Sequence, residues 1–315
     1  MMKSIKVATY NVDGLPEKLD LFDLPWILRP LAWIYKLIKG TTEITINDNQ
    51  GKSECTRKIG EYLCSSNSDI IGLQEDFNYH GELVKPLSSI YKFGTHLGGF
   101  SLSDLFSRTE WFSHFPLPRF RCDGLSIIVR NRIKILGEEI VRWKKSYGYV
   151  GHANDLLTHK GFRYYPLLID DEVSVDVYIL HLDADFYNPE TCPDVSKDIE
   201  ARESQLQQLV SYIMNRGVNN PVIVMGDMNS SSRYSWDNEN IKKNLLDPIN
   251  DAQGLTIKQV LPDDDYTIPD VDRIYYINNS RLKNQIRPIE CLYDTELRNL
   301  SDHTPLIARF IISDI

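Results

Sequence analysis

The chain has 315 residues, 42% of them hydrophobic and 25% charged, with a formal net charge of −9. Such a length supports a sizeable core, and the composition is that of an ordinary globular protein. An acidic balance disfavours a polyanionic partner such as duplex DNA, whose binding depends on Lys and Arg neutralising phosphates, although a local basic patch can coexist with it.

Met1-Met2-Lys3-Ser4 runs directly into an alternating stretch, so no signal peptide is expected and the compartment is left open. The first strand is expected over Ile5–Val12. Leu24–Lys39 follows, an apolar run with Trp, Tyr and Lys that Arg29 and Pro30 interrupt. It is too short and too broken to span a bilayer. Two readings fit it: a helix packed on the core or capping the active site, or a membrane-surface contact through Trp26–Ile38. Ser53–Asn67 carries Cys55, Ile59, Tyr62 and Leu63 at helical spacing. In one helix Cys55 and Cys64 would lie about 13.5 Å apart, too far to bridge. The five cysteines form no CxxC pair, which argues against zinc, and their odd number argues against a disulfide framework.

A strand is expected at Asp69–Gln74. Phe100–Phe120 reads as a long aromatic loop, suited to a substrate rim. Further strands are expected at Leu125–Arg130, Tyr164–Ile169 and Val173–His181. Ser196–Arg216 places Ile199, Leu206, Leu209, Val210, Ile213 and Met214 on a helical stripe, with Gly217 as its stop. Pro221–Gly226, Arg273–Ile277 and Pro305–Ile312 complete the strands. About eight strands mixed with helices point to an α/β sandwich. No linker or repeat divides residues 1–315, which read as one domain.

The chemistry sits at the strand ends, where a side chain leaves the core and faces a cleft. Tyr10-Asn11 ends the first strand and Leu73-Gln74-Glu75-Asp76 the second. His181-Leu182-Asp183-Ala184-Asp185 and Gly226-Asp227-Met228-Asn229 end two more. Asp272-Arg273-Ile274 begins one, and Ser301-Asp302-His303 precedes the last. A lone Asn after a strand is commonly a turn residue, and a lone Ser-Asp-His a cap. Six such motifs, each beside an expected strand, are hard to explain as turns alone.

This set resembles the endonuclease/exonuclease/phosphatase superfamily, which includes DNase I-like nucleases, abasic-site endonucleases, inositol polyphosphate phosphatases and neutral sphingomyelinases. The resemblance runs from Tyr10 to His303 and implies a four-layer α/β/β/α sandwich with two packed mixed sheets. It implies that Glu75 is the main metal ligand, with Asn11 and Asp302 near the same metal. Oxygen ligands of this kind suit Mg2+, with Mn2+ as a substitute. His303 would be general base or phosphate contact, oriented by Asp272. Asp227 and Asn229 would orient water and phosphate, and His181 would contact the phosphate or assist the leaving group.

Asp155 and Lys160-Gly161 resemble an Asp–Lys pair that controls the site in neutral sphingomyelinases, and the 181–185 run, followed by the helix with Ala201-Arg202, also looks like that branch. The plain alternative for Asp155 and Lys160 is a surface ion pair on a helix. The leading expectation is a phosphodiesterase acting on a phospholipid headgroup. A nuclease is the first alternative, disfavoured by the lack of a basic run interleaved with aromatics. An inositol-phosphate phosphomonoesterase is the second, with Arg119, Arg121, Arg130 and Arg132 as a candidate anion cluster. A binding module that has lost its metal is disfavoured because every motif position is filled.

Overall fold

The alternation after Met2 becomes strand β1 (Lys3–Asn11), which puts Ile5 and Val7 on one face and Ala8 and Tyr10 on the other. The computed structural model describes residues 2–15, 18–20, 29–41, 43–45, 51–99, 122–147, 155, 158–185, 194–262, 271–297 and 299–314. Residues 18–20 (β2) and 43–45 (β3) form a two-stranded ribbon. β4 (Ile70–Gln74), β5 (Tyr91–Phe93) and β6 (Ser126–Arg130) follow, then β7 (Ile133–Ile135), β8 (Glu139–Arg142), β9 (Gly161–Ile169) and β10 (Val173–His181). β11 (Val222–Asp227), β12 (Leu255–Gln259), β13 (Asp272–Asn279), β14 (Asn284–Tyr293) and β15 (Leu306–Asp314) complete the strands.

One six-stranded sheet has the order β14-β15-β1-β4-β6-β5, and a seven-stranded sheet has the path β12-β13-β11-β10-β9-β7 with β8 paired to β9. Each is mixed: β1–β4 and β10–β11 are parallel and the other pairs antiparallel. Side-chain parity then builds the layers. Ile5, Val7, Ile127 and Val129 of the first sheet pack between the sheets on Val177, Ile179, Ile223 and Met225 of the second. The opposite face of the first sheet, with Ala8, Tyr10, Ile71 and Leu73, receives Ile59 and Leu63. The opposite face of the second, with Phe162, Tyr178 and Val224, receives Leu206, Leu209 and Ile213.

Helices supply the outer layers. α1 (Arg29–Lys39) lies in the segment between the ribbon strands, and α2 (Lys52–Ser65) and α3 (His80–Val84) serve the first sheet. α4 (Ser196–Arg216) covers the second, beside α5 (Ser235–Ile241), a π-helical turn at Lys242–Leu246 and α6 (Asp247–Asn250). The result is the expected α/β/β/α sandwich with two packed mixed sheets.

Several elements depart from the sequence reading. β14 was not expected, because Pro288 and a polar composition argue against a strand; it is an edge strand with an irregularity between Pro288 and Glu290, where a missing N–H is tolerated. β5, β7 and β12 are short, and each buries one apolar side chain (Tyr91, Ile133 and Ile257), too little pattern to read as a strand. Cys55, Cys64, Cys122 and Cys291 are free thiols. Arg130 and Arg132 do not form an anion cluster: Arg130 reaches Asn67, and Arg132 is spent on Asp69 and Asp170. Arg119, Arg121 and the aromatic stretch 100–120 lie outside the described residues.

Gly226 sets up the last residue of β11. Its φ of 146° is a region L residues avoid, and an added Cβ would sit 2.0 Å from the Leu180 carbonyl of the parallel neighbour. Gly226→Ala should therefore lower stability by roughly 1–3 kcal/mol, read as a shift in urea midpoint. An unchanged midpoint would contradict this packing.

Candidate active site

The parallel pairs bring strand ends together. Asn11 of β1 lies opposite Gln74 of β4, so Glu75 emerges beside it. In the other sheet His181 of β10 lies opposite Asp227 of β11, and Asp227 lies opposite Asp272 of β13. The sheets meet at this edge. The Asn11 side-chain amide donates to Glu75 Oε1 at 3.1 Å and to Asp227 Oδ2 at 3.1 Å. Its oxygen accepts the Asp13 backbone N–H at 3.0 Å. Glu75 and Asn229 both adopt left-handed backbone, with φ of 56° and 45°, which turns each side chain out of its strand line.

Asp227 is the centre of the cluster. It accepts the Asn229 backbone N–H at 2.8 Å and lies 3.4 Å from His181 Nε2 and 3.7 Å from His303 Nε2. Asn229 is fixed by donating to the Leu182 carbonyl at 2.9 Å. His303 Nδ1 lies 2.6 Å from Asp272 Oδ2, a His–Asp pair that orients the ring and leaves Nε2 toward Asp227. The loop carrying it is tied back by Ser301, whose hydroxyl donates to the Asn11 carbonyl at 2.8 Å and accepts the His303 N–H at 3.2 Å. Asp302 is exposed beside it, with Oδ1 3.3 Å from the Ser301 hydroxyl oxygen.

Asp155 and Lys160 are not the surface pair that was one reading. Their charged groups lie 2.5 Å apart with side chains 0% and 9% exposed, because Lys160 enters the cluster at the start of β9. Asp155 also accepts the Ala184 N–H at 3.0 Å. Lys160 Nζ is 3.0 Å from His181 Nε2. An ammonium only donates, so His181 Nε2 is the acceptor and Nδ1 carries the ring proton. Nδ1 finds no acceptor among the described residues.

The charges follow from these contacts. Burial and the Lys160 charge hold His181 well below the ordinary histidine range, so it is neutral. Burial would lower His303 too, but Asp272 and Asp227 outweigh it and hold the ring well above its ordinary range. Burial raises Lys160's cost as a cation, yet Asp155 and Glu75 keep it charged. Burial and the neighbouring Asp302 push Glu75 up, against the pull of Lys160 and Asn11. Carboxylates that repel one another at a seam of hard oxygen donors fit a small divalent cation, which relieves the repulsion. Glu75 and Asp302 face that requirement directly, and Asp227, Asp272 and His303 place ligand-type atoms within 4.8 Å of one another.

All ten residues singled out from sequence thus fall in one neighbourhood, with Asp302 at its exposed rim. Lys52 was missed. Its ammonium is paired with Asp13 inside the fold, and its charge acts on Asp302 and Glu75. Nothing in the sequence marks a lysine at the first turn of α2 as part of the site; only the Asp13 two residues beyond Asn11 hints at a partner. Ser301 is named in the sequence only as part of its motif, with no role, and Trp143, whose indole donates to the His181 carbonyl at 2.8 Å, is not singled out there.

Residues 8–303 match the family described as the Endonuclease/Exonuclease/phosphatase family. No curated protein matches the sequence. Among solved structures, sphingomyelinase C from Streptomyces griseocarneus is 16% identical, with 98% of this chain and 99% of that chain covered and a TM-score of 0.60. A beta toxin mutant from Staphylococcus aureus with bound magnesium ions is 15% identical, with 97% and 99% covered and a TM-score of 0.60. D. rerio TDP2 complexed with single strand DNA product is 14% identical, with 98% of each chain covered and a TM-score of 0.58. At these identities the likeness is one of fold.

A raised folded-state pKa at His303 stabilises the protein fully below the unfolded value of about 6.5, and that contribution is lost as pH rises through the folded value. His303→Ala should flatten the fall in urea midpoint on the alkaline side of pH 6.5. Parallel curves for the two proteins would show that the His303–Asp272 pair carries no such linkage.

Proposed function

The chain belongs to the endonuclease/exonuclease/phosphatase family, and from that premise we propose that it is a Mg2+-dependent phosphodiesterase that releases a phospholipid headgroup, in the manner of a sphingomyelinase. Glu75 and Asp302 would hold the metal, with Asn11 bracing Glu75 through its amide. The ion would neutralise charge developing on the phosphoryl and leaving oxygens. The residues do the rest. Asp227, fixed by the Asn229 N–H, orients the attacking water for in-line approach. His303, held by Asp272, contributes an imidazolium that binds a phosphoryl oxygen in the resting state. Charged Lys160, held against the Nε2 of neutral His181, offers its remaining ammonium protons to the other oxygens as negative charge builds.

The observation that carries the lipid reading is the buried Lys160–Asp155 pair, which joins Lys160 to His181 inside the catalytic cluster. A surface pair would have left that reading without support. α1 adds to it. Trp33, Ile34, Leu37 and Ile38 are 56%, 53%, 83% and 73% exposed, while Ala32 is buried. Lys36 lies over the Trp33 ring at 5.6 Å. An apolar face with a basic residue and a Trp is suited to the headgroup boundary, where the ring and ammonium meet water and the aliphatic side chains do not. The helix of 11 residues cannot cross a membrane, and none of the described helices is long and apolar enough to do so.

Sphingomyelin vesicles, plasmid DNA and inositol phosphates, each with Mg2+ or EDTA, distinguish the substrate classes. The expected result is metal-dependent release of phosphorylated headgroup from vesicles alone. Glu75→Gln should lower turnover by at least ~100-fold, in the range seen when a group acting only in the transition state is lost. Activity confined to DNA would transfer the same residues to a nuclease and overturn the lipid reading. In a second measurement, Lys160→Met should lower kcat on vesicles, whereas Leu37→Asp should raise KM for vesicles and leave kcat on a short-chain soluble phosphodiester unchanged. Equal loss on both substrates in Leu37→Asp would remove α1 from the lipid contact.

A further inference from the structure

Asp76 follows Glu75 in sequence, yet its side chain serves a different cluster. Its carboxylate is 1% exposed and accepts the Ser126 hydroxyl at 2.6 Å. The same oxygen, Oδ2, lies 2.6 Å from His80 Nδ1 at the start of α3. His96, from the segment after β5, arrives on the other side, with Nε2 2.9 Å from the Asp76 carbonyl and Nδ1 accepting the Gly98 N–H at 3.3 Å. The two imidazoles are stacked, centroids 3.9 Å apart and planes 9° from parallel. One ligand-type atom from each of Asp76, His80 and His96 lies within 4.8 Å of the other two. The hydrolytic reaction described above uses none of the three.

We propose that Asp76, His80 and His96 form a second metal site, which takes a borderline transition ion such as Zn2+ in preference to Mg2+. Two imidazole nitrogens and one carboxylate are the donor set of zinc and its neighbours, whereas Mg2+ favours oxygen alone. Three protein ligands leave at least one position for water.

The present contacts are those of ligands held together by protons. His80 Nδ1–H donates to Asp76 Oδ2, and a cation between those atoms takes the place of that proton. Ligand bonds of about 2.0–2.1 Å put tetrahedral ligand atoms roughly 3.3 Å apart, a distance the cluster reaches by small motions. Asp76 is the fixed member, because Ser126 and the interior hold it. His80 and His96 are half-buried, and the stacked rings turn to aim their lone pairs at one point. His96 gives up its bond to the Asp76 carbonyl so that Nε2 becomes the ligand atom, and with the ring proton moved to Nδ1 it also gives up the bond from the Gly98 N–H. Filling the site also fixes the turn on which Glu75 stands, since Asp76 is the next residue and the Glu75 backbone is left-handed.

The test is zinc content of the full-length protein after equilibrium dialysis against micromolar Zn2+ with millimolar Mg2+ present, with Co2+ absorption as a second readout. The expected result is one equivalent of zinc retained by the wild-type protein and by Glu75→Gln/His303→Ala, and lost from His80→Ala/His96→Ala. His96→Asn keeps a donor for the Asp76 carbonyl and so guards against a folding defect; its zinc affinity should fall by at least ~10-fold. Co2+ should give the visible bands of a nitrogen-containing site of low coordination number in the wild type and not in the double histidine variant. Equal zinc in the wild type and the His80/His96 variants, or loss of the zinc in Glu75→Gln/His303→Ala, overturns the proposal. Because the readout is bound metal, it fails or succeeds independently of the substrate.

Discussion

One side-chain amide joins the two sheets where the chemistry is. Asn11 donates to Glu75, from its own sheet, and to Asp227, from the other. Hydrogen bonds to charged acceptors are worth about 1.5–3 kcal/mol each, and they also hold apart two carboxylates that would otherwise repel. The position of the amide is not adjustable. Its oxygen is held by the Asp13 N–H and its backbone carbonyl by Ser301. The spacing of the sheets therefore sets the spacing of the site, and the apolar layer of Ile5, Val7, Ile179 and Met225 beneath it acts on the geometry above.

Around that clasp the charges are balanced in pairs. Asp272 answers His303, and Asp155 answers Lys160. Burial pushes both carboxyls up, Asp155 to about 7, against the pull of their partners, while those partners, Lys160 and His303, are held above their ordinary ranges. His181 is the exception: with Lys160 against its Nε2 it is neutral, so two histidines in one cluster hold opposite protonation states. One ring rests as a cation between Asp272 and Asp227, and the other accepts from Lys160 with its own N–H turned into the interior.

The sandwich and the strand-end motifs were legible in the sequence because both rest on local pattern. Odd residues of β1 pack inward and even ones outward, which alternation alone records, and Asn11, Glu75, Asp227 and His303 follow directly from where strands stop. β14 was hidden because Pro288 and Arg287 carry an edge strand's pattern, with little buried on one side. Lys52 was hidden because its partner Asp13 is 39 residues away and the pairing depends on how α2 docks. The Lys160–Asp155 pair was found as residues but not as an environment: spacing fits a surface pair as well as a buried one, and only the entry of β9 into the seam decides. The cluster of Asp76, His80 and His96 had the same difficulty, since His96 reaches it from beyond β5.

The Ser301 hydroxyl and the Asn11 carbonyl that it meets are 290 residues apart in sequence. A polypeptide emerging from a ribosome therefore carries β1 and Glu75 long before it carries the loop that completes them. Until residue 303 has been translated and β15 has paired with β1, the nascent chain lacks the His303–Asp272 pair and the Ser301 tie to Asn11. Closure of this edge therefore waits on the last strand of the very sheet that the first strand begins.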